Sequence, residues 1–130
     1  MFGLTMVGAD ICGFAGDTSE ELCTRWMQLG SFYPFMRSHN DNESKDQDPA
    51  AFSFDIQNIM RESLNTRYRL LPYMYTLFYR SHKFGENVVR PLFFEFPNDF
   101  NTHSIDTQYL FGPALLISPV LTQVRLNKNI

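Results

Sequence analysis

The sequence predicts an α/β fold that gives way to β structure near residue 86, and three observations carry that prediction. Two short apolar segments, residues 2–7 and 31–36, flank a stretch with helical signals, the order of a βαβ unit. Residues 52–83 then carry apolar side chains at spacings of three and four. After Asn87 the period changes again and becomes strand-like, which marks a boundary between two parts of the chain.

Taken in order, residues 2–7 predict a short buried strand ending at Gly8-Ala9-Asp10. The glycines of residues 11–16 suit a loop that brings backbone close to another group. Thr18 with Glu21 three residues on predicts a capping box, with Leu22, Trp26 and Leu29 as the apolar stripe and Gly30 as the stop. Residues 31–36 predict a second, strongly aromatic strand running into Arg37-Ser38-His39. Residues 40–50 form a hydrophilic loop without apolar periodicity. In the following helical run Ile56, Ile59, Met60, Leu64, Tyr68 and Leu71 recur, Pro72 predicts a kink or a split, and Gly85 falls at the C′ position. Residues 88–96 predict a strand, Pro97-Asn98-Asp99 a turn, and residues 106–111 and 114–121 two more strands around Gly112-Pro113.

Composition narrows the function classes. A chain of 130 residues that is 44% hydrophobic does not fit a disordered tail. Eleven basic against fourteen acidic residues give a net charge of −3, which provides no electrostatic case for nucleic acid or an anionic membrane. Residues 1–9 are apolar but lack a basic leading region, and no run approaches the ~20 apolar residues of a membrane span. Thirteen phenylalanines are more than so short a chain needs, so either the domain is unusually aromatic or its rings are covered elsewhere.

Asp10 follows a predicted strand, and Arg37 and His39 sit at the corresponding end of the next one. In a parallel α/β architecture the carboxyl ends of the strands carry the site, so an acid, a guanidinium and an imidazole would share one face. The plainer alternative is that Asp10 satisfies loop amides and His39 is a surface residue. Phe14 is either a sugar-stacking platform or a plug on the core. Glu95 is a site carboxylate or, more simply, the partner of Arg90. Asp41, Glu43, Asp46 and Asp48 lack the spacing of a calcium loop and predict a solvated loop. Tyr68, Tyr73, Tyr75, Tyr79 and Phe78 predict helix packing. Cys12 and Cys23 are either two free thiols or a pair closing a loop of about a dozen residues, worth roughly 3 kcal/mol. They form no zinc site with the distant histidines, and no nucleophile elbow, P-loop or dinucleotide motif occurs.

Residues 7–40, VGADICGFAGDTSEELCTRWMQLGSFYPFMRSHN, resemble glycoside hydrolase family 31, in particular its lysosomal and intestinal α-glucosidase branch. LNTRYRLLPYMYTLFY (64–79), VVRPLFFEFPND (88–99) and YLFGPALLISPVL (109–121) continue the resemblance in order, while residues 124–130 do not resemble the family. The resemblance implies the C-terminal part of a (β/α)8 barrel, about its last two βα units, over residues 1–86. It implies the start of a β-rich proximal domain over 87–123 and a divergent tail over 124–130.

The resemblance further implies a retaining α-glucosidase acting on terminal non-reducing α-linked glucose. Its two catalytic aspartates would lie in motifs that precede this stretch, so no catalytic carboxylate is expected here. Asp10, His39 and Phe14 match positions that line the glucose pocket, and Arg37 is a weaker sugar-binding candidate, better read as supporting the strand end. Cys12 and Cys23 match a cysteine pair of that branch, which implies a disulfide and a parent in the secretory pathway. Ser38 stands where relatives commonly carry Asn. No cofactor or metal is implied. The implied partners are an oligosaccharide or α-glucan and the remainder of the barrel, without which the chain alone would be inactive. A non-catalytic binding or interaction module and a family 31 relative acting on another sugar, such as xylose, are the competing expectations.

Overall fold

The computed structural model describes residues 3–123, so the divergent tail at 124–130 lies outside the described residues. Strand β1 (Asp10–Ile11) pairs in parallel with β2 (Arg37–Ser38), and helix α1 (Glu20–Gly30) makes the crossover between them. The βαβ unit is therefore present, but its strands lie one loop later than the apolar runs suggested. Residues 3–7 form no strand. Residues 31–35 form turns because their carbonyls are taken by a side chain. Arg67 donates through Nη1 to Ser31 O (3.1 Å) and Tyr33 O (2.6 Å) and through Nη2 to Pro34 O (3.1 Å). Burial lowers the Arg67 pKa below its usual value.

The N-cap of α1 is Ser19 rather than Thr18, its hydroxyl accepting the Leu22 amide at 3.2 Å. The buried face of the helix is also rotated from the one expected. Cys23, Met27 and Gly30 face the core, whereas Leu22 is half exposed. Ile11, Cys12, Cys23, Met27 and Met60 form the first core cluster, with Trp26, Tyr33, Met36, Phe52 and Ile56 packed on it.

Helix α2 (Phe54–Phe84) is one continuous element of 31 residues, about 46 Å long at 1.5 Å per residue. Pro72 lies inside it without splitting it. Proline removes one ladder hydrogen bond and crowds the carbonyl four residues back. Packing on both sides holds the helix together: Met60 joins the first cluster, while Met74 and Leu77 join a second with Val88, Phe111 and Ile117. The helix ends on Gly85, in the left-handed region at φ 73°, as the sequence indicates. Of the aromatic side chains on this helix, Tyr73 and Phe78 pack on the second cluster. Tyr68, Tyr75 and Tyr79 are exposed, contrary to the packing role expected of them.

Strand β3 (Val89–Arg90) is followed at once by a helical turn, α3 (Leu92–Glu95), where a longer strand was expected. Pro91 lacks the amide a continuing ladder needs, and the turn closes with the Phe96 amide on Leu92 O at 3.0 Å. Glu95 pairs with Arg90, the structural reading, and Arg90 also reaches Glu86 at 3.2 Å. Strands β4 (Tyr109–Phe111) and β5 (Leu115–Ile117) form the expected hairpin, shorter at both ends. They complete an antiparallel sheet in the order β3-β4-β5.

The hairpin turn is locked to α2. The Tyr73 hydroxyl donates to Phe111 O (2.9 Å) and accepts from the Ala114 amide (3.3 Å). Gly112 between them has φ 62°, and a Cβ there would lie 2.3 Å from Tyr73 Oη and 2.6 Å from Leu77 Cδ2. Gly112→Ala is therefore expected to destabilise the folded polypeptide by about 3 kcal/mol, from the left-handed backbone and the overpacking together. Thermal unfolding checks this: an unchanged midpoint would show that the hairpin does not depend on the close approach.

Candidate sugar-binding site

The site is built where β1 and β2 end. Their register sets Asp10 beside Arg37 and Ile11 beside Ser38. Arg37 Nη2 donates to Asp10 Oδ1 at 2.7 Å and Nε donates to the same oxygen at 3.3 Å. Among the described residues no protein donor takes Asp10 Oδ2. The Arg37 guanidinium also lies 5.5 Å from the centre of the Phe35 ring, a cation–π distance. Arg37 thus fixes the Asp10 carboxylate. A carboxylate held this way presents its second oxygen to hydroxyl donors.

Beyond Asp10 the chain turns sharply. Gly13 N donates to Asp10 O at 3.0 Å, and Cys12 takes a left-handed conformation at φ 76°, uncommon for a residue with a Cβ. A disulfide to Cys23 of α1, with Cα atoms 4.5 Å apart, ties this turn to the helix. The pairing resolves the alternative left open by cysteine spacing. Phe14, two residues on, is half exposed, and its ring centre lies 5.2 Å from that of His39 at a tilt of 38°. Phe14 is not a core plug. It forms one wall with the exposed imidazole, while Asp10 and Arg37 lie at the adjoining strand ends.

The loop at 40–48 is more than a solvated connection. The Asp41 amide donates to Phe14 O at 2.9 Å, and the Lys45 amide donates to Asp17 Oδ1 at 2.9 Å. Asn40 Nδ2 donates to Lys45 O at 2.8 Å. Asp41 accepts the Ser44 hydroxyl (2.6 Å) and amide (2.8 Å), and Asp48 accepts the Ala50 amide (2.9 Å). Two of the four acidic side chains therefore cap backbone. No group of three or more potential ligands among the described residues is placed to hold a metal.

Gln47 is the residue that sequence reasoning missed. It is buried, and its Nε2 lies 3.0 Å from Ile11 O, 3.1 Å from Gly13 O and 3.1 Å from His39 O. A glutamine in a polar stretch gives no local sign that two of its three partners sit 36 and 34 residues back, so only the fold reveals it.

Acid should loosen this strap in a defined window. The Lys45 amide, and then its ammonium, hold the Asp17 carboxyl below its ordinary value of 3.8. The Ser44 hydroxyl, with the Glu43 and Ser44 amides, does the same for Asp41. Both folded values are depressed, so the contribution is fully present above the unfolded value and is lost as pH falls through the folded one. Exchange protection of the Lys45 amide is expected to stay level from pH 7 to about 5 and to fall only below about pH 4. Asp17→Asn should flatten that dependence. Unchanged protection at pH 3 in the unaltered chain would refute the assignment.

Residues 1–77 match the glycosyl hydrolase family 31 TIM-barrel domain, and residues 85–129 match the family 31 C-terminal domain. The chain is 62% identical over 121 residues to the lysosomal alpha-glucosidase of Mus musculus, covering 93% of this chain and 13% of that protein. It is 55% identical over 125 residues to the intestinal sucrase-isomaltase of Homo sapiens, covering 95% and 7%. It also resembles the crystal structure of a glucosidase II alpha subunit bound to Glc1Man2, with a TM-score of 0.86, 36% identity and coverage of 91% and 13%. A soil-metagenome GH31 alpha-xylosidase complexed with xylose gives a TM-score of 0.85 at 32% identity, covering 95% of this chain and 22% of that one. The chain thus spans a small part of the length of the relatives it matches.

Proposed function

The chain belongs to glycosyl hydrolase family 31, and on that footing we propose that it forms one wall of the glucose pocket of a retaining α-glucosidase. In this reading residues 1–86 are the last two βα units of a (β/α)8 barrel, and residues 87–123 begin the proximal β domain. The observation that carries the reading is the parallel register of Asp10 and Arg37, with Phe14 and His39 in ring contact beyond the same strand ends. Barrel enzymes place their chemistry at the carboxyl ends of the strands.

Asp10 accepts sugar hydroxyl protons on its outward oxygen, and Arg37 holds the carboxylate in position. His39 hydrogen-bonds a further hydroxyl, and Phe14 supplies an apolar face for the ring. Such contacts strengthen as the sugar flattens toward its oxocarbenium-like transition state. The nucleophile and the acid/base, about 5–5.5 Å apart in retaining enzymes, come from barrel units that precede this stretch. The substrate is an oligosaccharide or α-glucan with a terminal non-reducing α-linked glucose.

Identity supports the glucosidase branch over the xylosidase: 62% to the lysosomal enzyme against 32% to the xylosidase. The Cys12–Cys23 disulfide supports a parent of the secretory pathway, since such bonds persist in oxidising compartments. Among the described residues the two-stranded parallel sheet has no further strand at either edge, which supports a requirement for the rest of the barrel.

The test is a chimera of the mouse lysosomal enzyme carrying the matched 121 residues of this chain. Asp10→Ala or His39→Ala in that chimera should cut kcat/KM on maltose at least about tenfold, at roughly 1.4 kcal/mol per decade. Near-normal kinetics in both would remove these residues from the pocket.

A further inference from the structure

We infer that Gln47 is a positioning residue for sugar binding, acting through His39, an inference that rests on the glucose-pocket reading above. All three residues proposed to face the sugar lie within one residue of a carbonyl on which Gln47 converges. Ile11, whose carbonyl is 3.0 Å from Nε2, follows Asp10. Gly13, at 3.1 Å, precedes Phe14, and the third carbonyl, at 3.1 Å, belongs to His39 itself. One primary amide therefore spans the two strand-end loops that the β1–β2 ladder joins through only two residue pairs.

The orientation of that amide is dictated by its surroundings. Carbonyl oxygens accept only from the NH2 end, whose two hydrogens the three carbonyls share; a reversed amide would set Oε1 against three oxygens. Oε1 points to the other side, buried and without a protein donor among the described residues. Gln47 is itself held from both directions. Ser38 of β2 donates through Oγ to Gln47 O at 3.4 Å, and Asp48 next to it caps the 3₁₀ turn Pro49–Ala51. The side chain is thus fixed to the scaffold, and its hydrogen bonds fix the site loops in turn. His39 depends on it most, because the imidazole is exposed and Phe14 is its only ring neighbour among the described residues.

Removing the amide should release the His39 loop without touching the sugar contacts themselves. In the chimera, Gln47→Asn keeps the amide but is one methylene too short to reach all three carbonyls. Gln47→Met keeps the length and removes the donors. Each is expected to lower kcat/KM on maltose about tenfold per active site, with active sites counted by a covalent glucosidase inhibitor. In a His39→Ala background the same substitutions should cost clearly less than tenfold, because the group that depends on them most is already gone. If Gln47→Met yields no folded enzyme, Gln47→Asn carries the test. Equal losses in both backgrounds would overturn the inference, as would a lowered thermal midpoint with unchanged kcat/KM. A His39→Ala enzyme with normal kinetics would instead overturn the pocket reading itself, and this inference with it.

Discussion

Three carbonyl oxygens converging on the Gln47 amide nitrogen are the constraint on which the site geometry depends. The parallel ladder joining β1 to β2 has two residue pairs, too few to fix where the loops beyond it travel. Side chains and one covalent bond do that work. The disulfide sets the turn at Cys12 against α1, the Arg37 guanidinium sets the Asp10 carboxylate, and Gln47 joins the two loops. Before the ladder, Gly8 permits close approach: a Cβ there would lie 1.8 Å from Phe35 O. Short strands braced by specific polar contacts hold the strand-end loops in place while leaving Asp10, Arg37 and His39 accessible.

Helix α2 carries these local constraints across the molecule. Its first half packs under the site unit through Met60, and its second half packs on the β3-β4-β5 sheet through Met74 and Leu77. Arg67, near the middle, holds the 31–34 turn that leads into β2. The Tyr109 hydroxyl adds a bond from the sheet to Phe32 O at 3.3 Å. The second core cluster therefore straddles the proposed boundary near residue 86. In this arrangement the β3-β4-β5 sheet is a buttress for α2, and Pro72 is tolerated because both flanks of the helix are anchored.

What was legible in the sequence was what is local. The order strand, loop, helix, strand follows from periodicity and turn residues. Gly85 as a C′ residue and the Arg90–Glu95 pair follow from neighbours a few positions apart. What failed was set by tertiary contacts and, at residues 92–96, by the adjoining proline. Residues 31–36 and 92–96 are apolar and aromatic enough for strands, but Arg67 claims the carbonyls of the first and Pro91 interrupts the second. Of the stripe Leu22, Trp26, Leu29, the last two pack on the core clusters, while the most buried face runs through Cys23, Met27 and Gly30 and leaves Leu22 half exposed. Asp10 and His39 are candidates from strand ends, Phe14 from its loop, and all three from family resemblance. Gln47 could not, because its function is defined by carbonyls distant in the chain.

The aromatic excess and the openness of the site have one physical origin in the proposed assembly. Tyr75 is 81% exposed, Phe54 71% and Phe84 63%, all on α2, apolar surface that other barrel units would cover in the proposed assembly. At the strand ends Phe14 is 49% exposed, and the His39 imidazole faces outward beside it. A sugar pocket encloses most of its ligand, and one wall cannot do that. Barrel units that covered the α2 aromatics and paired with the free strand edges would bring the opposite wall, with its two carboxylates, over Asp10 and His39. Burying the rings and completing the pocket would then be the same event, so pocket formation would be coupled to folding of the whole barrel.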